Sequence, residues 1–232
     1  MTKRTGRILC LLIAIAIPAT ALASPKTAIC IASSFVGKDV SKDGRVRAST
    51  SSSDARSTEF NEYVVKGRAR VERRLWSHKS DPRILFLDGE KVFGVFDYNS
   101  HGSAVSLPGK TCLLIGPKGF NVDVVAHELV HADMAELLGY WKILDLPAWI
   151  NEGIAMQVDM RTRYDFDVFD GVDPLHVTSK RGGDFYEGDV ADVVQNYASA
   201  KYLFEEWLET NGIDLLLRKL QDKKPAVFDF QM

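Results

Sequence analysis

The stretch VVAHELVHAD, residues 124 to 133, constrains this chain more than any other. Val124, Val125, Leu129, Ala132 and Ala135 make most of one helix apolar, which sends it to the interior. The same helix carries His127, Glu128 and His131 in the order H-E-x-x-H. Ionisable groups inside a buried helix are costly unless something binds them. Residues four apart on a helix share a face at about 6 Å, so His127 and His131 can reach one ion at the ~2.0–2.1 Å of a zinc–nitrogen bond. Glu128 stands one step round the helix, where it can reach a water at the ion, the place of a general base. Histidines satisfied inside a core are the competing explanation. By chance the pattern is expected in a chain this long at roughly the one-per-cent level or below.

The segments around the motif predict an α+β chain of one domain, with a small β-sheet before the motif and helices after it. TAICIASSFV, residues 27–36, reads as a first strand. Residues 41–58, rich in Ser, Thr, Asp and Arg without apolar periodicity, read as a mobile loop. Phe60, Tyr63, Val64, Val71, Leu75 and Trp76 predict an amphipathic helix over 58–79, ended by Pro82, with Arg68, Arg70, Arg73 and Arg74 on its solvated face. RILFLDG, KVFGVFDYN, SAVSLPG and TCLLIGP read as four short strands separated by turn residues. Asn121 fits the N-cap of the motif helix and Gly139 its end. Pro147 opens a second helix, and residues 160–188 form a long loop. A helix from Asp189 ends at Asn211-Gly212, and DLLLRKLQ makes a short last one.

Lys3, Arg4 and Arg7 precede the apolar run ILCLLIAIAIPATALA, which ends in Ala21-Leu22-Ala23. A basic start, an apolar core and an A-x-A end describe a secretory signal peptide over residues 1–23, cut after Ala23. The run is shorter than the ~20 residues of a spanning helix and Pro18 interrupts it, so no stable membrane insertion is expected after cleavage. That predicts a secreted or periplasmic protein. Cleavage takes the net charge from −2 to about −5 and leaves no basic stripe, which disfavours nucleic acid as a partner. Cys30 and Cys112 then remain in an oxidising compartment, as one disulfide or as two buried thiols.

A catalytic zinc needs a third protein ligand and an open position. The metzincin arrangement requires Gly three and His six residues after the second histidine; Met134 and Leu137 stand there. The gluzincin arrangement places a Glu on a second helix some twenty residues on, and LPAWINEGIAMQ offers Glu152, with Gly153 beside it to let the two helices approach closely. HELVHAD followed by WINEGIA resembles the gluzincin metallopeptidases over about residues 121–157. The Trp-x-Asn-Glu-Gly stretch is similar to the aminopeptidase N branch and to minimal peptidase MA-like domains.

The resemblance implies one Zn²⁺ at His127, His131 and Glu152, with Glu128 as base. It also implies a zincin, thermolysin-like fold with a mixed sheet above the motif helix. A Gly-x-Met-Glu-Asn segment for a free amino terminus is absent, which disfavours an aminopeptidase. Where thermolysin carries an acid four residues after its third ligand this chain has Met156, so Asp133 and Asp145 become candidates to orient a histidine. By the same resemblance Tyr197 is the first candidate for oxyanion donor, against a plain core aromatic, and His176 the second. His78 and His101 have no partner at ligand spacing. A peptide would lie along the strand Ser103–Leu107.

The expected activity is that of a zinc-dependent peptidase, an endopeptidase, acting on peptide or protein substrates. Two other classes share the motif: a zinc-stabilised binding or scaffold protein without turnover, and a hydrolase of a non-peptide amide in the cell envelope. Oligomeric state is not legible.

Overall fold

A five-stranded mixed sheet forms the upper layer of the protein. It is made of β1 (Lys38–Asp39), β2 (Val46–Ala48), β3 (Arg83–Phe86), β4 (Gly102–Leu107) and β5 (Lys110–Ile115), in the order β1-β2-β3-β5-β4. The three inner strands run parallel, while β1 and β4 pair antiparallel at the two edges. A computed structural model describes residues 24–77, 80–89 and 101–222. The expected signal segment, the strand expected at 91–99 and His78 lie outside the described residues.

Alternation along β3 and β5 assigns the two faces of the sheet. Ile84, Phe86, Leu113 and Ile115 enter the main core with the helices α2 (Asp54–Arg74) and α3 (Val122–Leu138). Leu85, Leu87 and Leu114 form a second cluster on the other face with Ile29. Ile29 belongs to α1 (Pro25–Ile31), so residues 27–36 are not a strand but a two-turn helix followed by a 3₁₀ turn at Ala32–Ser34. A short apolar run does not distinguish helix from strand by its pattern. Pro25 fits the first helical turn, and the exposed face of the sheet needed a cover. Cys30 and Cys112 form a disulfide that fastens α1 to the middle of this face.

Residues 41–58 are likewise not one loop. Val46 and Ala48 are buried in β2, and Ser53 caps α2 by accepting from the Arg56 N–H. A strand of three residues has too little alternation to stand out from a polar stretch; its parallel pairing with β3 decides it. Accordingly α2 runs from Asp54 to Arg74 rather than over 58–79.

Downstream of the motif the helical signals are local and the boundaries agree with them. Asn121 accepts from the Val124 N–H to cap α3, and Gly139 closes it. The short α4 (Tyr140–Leu144) and then α5 (Ala148–Met156) follow, with Pro147 capping α5. Residues 160–188 pass through four 3₁₀ turns. Asp189 opens α6 (Val190–Gln221) with a reciprocal capping box to Asp192, and α6 breaks at Gly212, where φ is 74°. Gly153 permits a close helix approach, though to α6 rather than to the motif helix: a Cβ there would lie 2.7 Å from the Ala200 carbonyl oxygen.

Candidate metal centre

α3 brings His127, Glu128 and His131 under the edge strand β4, and α5 brings Glu152 against them. His127 Nε2 lies 3.1 Å from Glu152 Oε2 and 3.0 Å from His131 Nε2, and His131 Nε2 lies 3.4 Å from Glu152 Oε2. Tetrahedral bonds of 2.0–2.1 Å place ligand atoms about 3.3–3.4 Å apart, so this triangle is close to the size that a small divalent cation needs. His127 is 6% and Glu152 5% exposed, and the three residues could together hold a metal ion.

The surroundings direct lone pairs at the middle of the triangle. His131 Nδ1 lies 3.1 Å from Asn151 Oδ1; if its hydrogen is donated there, Nε2 keeps its lone pair for the centre. Tyr186 donates to Glu152 Oε1 at 2.7 Å and leaves Oε2 facing the histidines. Burial opposes charge on His131, yet the Glu152 carboxylate and then Glu128 lift its pKa to about 9. Burial pushes Glu152 up, but His131 and His127 hold it well below the usual carboxylate range. Such opposed shifts arise where a carboxylate and two imidazoles converge, which is the donor set of a divalent cation.

Glu128 is 7% exposed, and burial raises its pKa above the ordinary value, offset in part by the two histidines. The backbone N–H of Ala104 in β4 contacts its carboxylate. Gly102 seats this strand closely: a Cβ there would lie 2.7 Å from Glu128 Oε1 and 2.8 Å from its Cγ. A raised carboxyl held at one position beside three candidate ligands suits proton transfer.

Tyr197 is brought to this site. Its ring centre lies 6.2 Å from that of His127, within an aromatic group that also holds Tyr164, Phe185 and Tyr186. Burial raises its phenol pKa well above the ordinary value, so the hydroxyl keeps its proton. Asp133, Asp145 and His176 are not brought to the triangle. Asp133 accepts from Trp76 Nε1 at 2.9 Å and from the Ser80 N–H at 2.8 Å, fastening α3 to the end of α2. Asp145 is exposed at the end of α4. The ring nitrogens of His176 lie 2.8 Å from the Asp173 carbonyl oxygen and 3.0 Å from Asn196 Oδ1, so it ties the 160–188 segment to α6.

The carboxylate beside the histidines is Asp159, which sequence reasoning missed. It is fully buried, and its Oδ2 lies 4.0 Å from His127 Nδ1, a buried nitrogen with no hydrogen-bond partner. Arg161 grips it through Nε at 2.9 and 3.0 Å and through Nη2. An acid followed two residues later by Arg, just after an apolar helix, was the available signal. Asp159→Asn is expected to weaken divalent-metal affinity about 10- to 100-fold. Competition against a chromophoric chelator measures this, and an unchanged affinity would remove Asp159 from the support of His127. Asn151 and Tyr186 were also missed, because their contacts arise only when α5 and the 160–188 segment fold over the centre.

Two lobes of one cleft meet at the triangle and share Gly102, His127, Glu128, Tyr186 and Tyr197. One, of about 440 Å³, runs along β4 past Ser103, Ala104 and Ser106 to Ile143 and Leu144. The other, of about 550 Å³, extends toward the start of α6 and the 160–188 segment. Comparison with protein-family models, curated proteins and solved structures returns no match.

Proposed function

We propose that this chain is a zinc-dependent peptidase of the gluzincin kind, with a thermolysin-like arrangement of sheet and helices. The observation that carries the reading is the convergence of His127, His131 and Glu152 on one point with Glu128 beside them. His127, His131 and Glu152 would hold the ion, with Asn151 and Tyr186 orienting His131 and Glu152 and with the Asp159 carboxylate 4.0 Å behind His127. A zinc ion bound there supplies Lewis acidity, polarising a substrate carbonyl and lowering the pKa of water toward ~7. Glu128 takes the proton from the attacking water and passes it to the leaving amine. Tyr197 lines both lobes and is the candidate donor to the developing oxyanion.

The substrate backbone is read by β4. It is an edge strand among the described residues and is half-buried along its length. An extended peptide can add to it as a further strand. A cleft open to both sides of the centre supports an endopeptidase. Among the described residues no helix is long and apolar enough to cross a membrane, and residues 1–23 support export to the periplasm or the medium.

Elemental analysis of the purified chain is expected to give one zinc per molecule. A peptide library is expected to be cleaved, with cleavage stopped by a chelator and restored by zinc. A chain without stoichiometric metal would end this reading; metal without any cleavage would turn it toward a binding protein.

A further inference from the structure

The larger lobe is cationic in a way the centre does not use. Lys118, Arg161, Arg163 and His101 line it together with His127 and Glu128. Arg161 is neutralised by Asp159. Among the described residues Lys118 and Arg163 have no carboxylate partner; Arg163 donates to the Tyr164 hydroxyl at 2.7 Å and lies 4.7 Å from that ring's centre. Asp189 also lines the lobe, but its carboxylate accepts from the Ala191 and Asp192 N–H groups as the cap of α6. Of the acids that line the lobe, Asp189 caps α6 and Glu128 belongs to the candidate centre, and the two side-chain cations Lys118 and Arg163 face the cavity beside it.

His101 lies in the same lobe. Burial, then Arg161, Arg163 and Lys118, push its pKa down to about 4, so it stays neutral and adds no charge of its own. Unpaired cations in a concave site focus a field that attracts anions. A neutral imidazole beside them can still donate a hydrogen bond. The other lobe offers Ile143 and Leu144 with the polar edge of β4 and a single cation, Lys26, which donates to Ser103 Oγ at 3.2 Å.

We propose that the lobe lined by Lys118, Arg161 and Arg163 is a subsite for a substrate carboxylate, either an acidic side chain or a free C-terminus. This rests on the peptidase reading and deepens it, because it gives the cleft a polarity. The peptide segment on the side of the Lys118 lobe must carry the anion.

The test uses the zinc-loaded Glu128→Gln chain, which holds peptide without turning it over. Four blocked peptides of one sequence differ only in Glu against Gln at one position and in a C-terminal acid against an amide. Calorimetric titration at low salt is expected to show the carboxylate peptides binding about five- to tenfold more tightly, an advantage that shrinks as salt rises. The Glu/Gln and acid/amide arms identify which source of carboxylate is read. The double variant Lys118→Gln, Arg163→Gln replaces two exposed side chains, and in it the advantage is expected to fall to about onefold. Equal binding of all four peptides, no binding of any, or an advantage surviving in the double variant would each overturn the subsite. Wild-type cleavage of library peptides without acidic preference would overturn it while leaving the peptidase standing. Carboxylate-selective binding without any cleavage would do the reverse.

Discussion

Replacing Glu128 by Gln is expected to lower peptide hydrolysis about a thousandfold while leaving one equivalent of metal bound. The reasoning starts from packing. Glu128 is buried under β4, with Gly102 close enough that a single added carbon would strike it. Gln has the same shape, and its amide oxygen can still accept from the Ala104 N–H. What is lost is the carboxylate that accepts a proton, in a position where burial has already raised its basicity. General-base contributions of about 10²–10⁴ are typical, and here no other carboxylate is free to substitute: Glu152 belongs to the ligand triangle and Asp159 to Arg161. kcat/KM on a cleaved library peptide, with metal content measured on the same sample, checks the expectation. Undiminished turnover would take Glu128 out of the mechanism. Loss of metal along with turnover would mean that Glu128 serves the site's architecture instead.

Breaking the bond between Cys30 and Cys112 is expected to cost about 2–5 kcal/mol of stability. The two cysteines are 82 residues apart, so the bond removes much loop freedom from the unfolded chain. It also secures a local weakness. α1 has seven residues, too few to persist alone, and its hold on the sheet otherwise rests on Ile29 over Leu85, Leu87 and Leu114 and on two hydrogen bonds, Lys26 to Ser103 and Lys110 to the Cys30 carbonyl. In the Cys30→Ala, Cys112→Ala chain, residues 25–34 should lose amide protection first. The rear face of the sheet would then meet water, and Lys26, which donates to Ser103 Oγ in β4 and lines the smaller lobe, would leave the cleft wall. Denaturant unfolding and hydrogen exchange on the oxidised chain and the double variant measure both effects. Equal midpoints, or protection of 25–34 that survives, would contradict the argument.

The helix boundaries after residue 121 were legible because each rests on contacts within one or two turns: Asn121 on Val124, Pro147 before Ala148, Asp189 on Ala191 and Asp192, Gly212 at the break. Residues 24–50 were not legible for the opposite reason. Whether an apolar run of ten residues becomes helix or strand depends on which face of the sheet lacks a cover. A three-residue strand such as Val46–Ala48 exists only through its neighbour β3.

The same division runs through the site. H-E-x-x-H fixes two imidazoles and a carboxylate on one helix by the helical repeat alone, and a glutamate on a following helix is within reach of them. Sequence therefore determined which residues are available as candidate ligands and candidate base. It could not determine the shell around them, because hydrogen-bond partners distant in sequence are selected by packing. Asp133, near the motif in sequence, is drawn off to Trp76 and Ser80, while Asp159, beyond the end of α5, is folded back behind His127 and locked there by Arg161. Tyr186 reaches Glu152 only because the segment from 160 to 188 closes over α5. Tertiary structure alone also gave the cleft its cationic lobe, by bringing Lys118 to the turn that carries Arg161 and Arg163. The sequence sets Arg161 and Arg163 side by side, and only the fold adds Lys118, because it lies on a turn before the motif helix and they lie on one after α5.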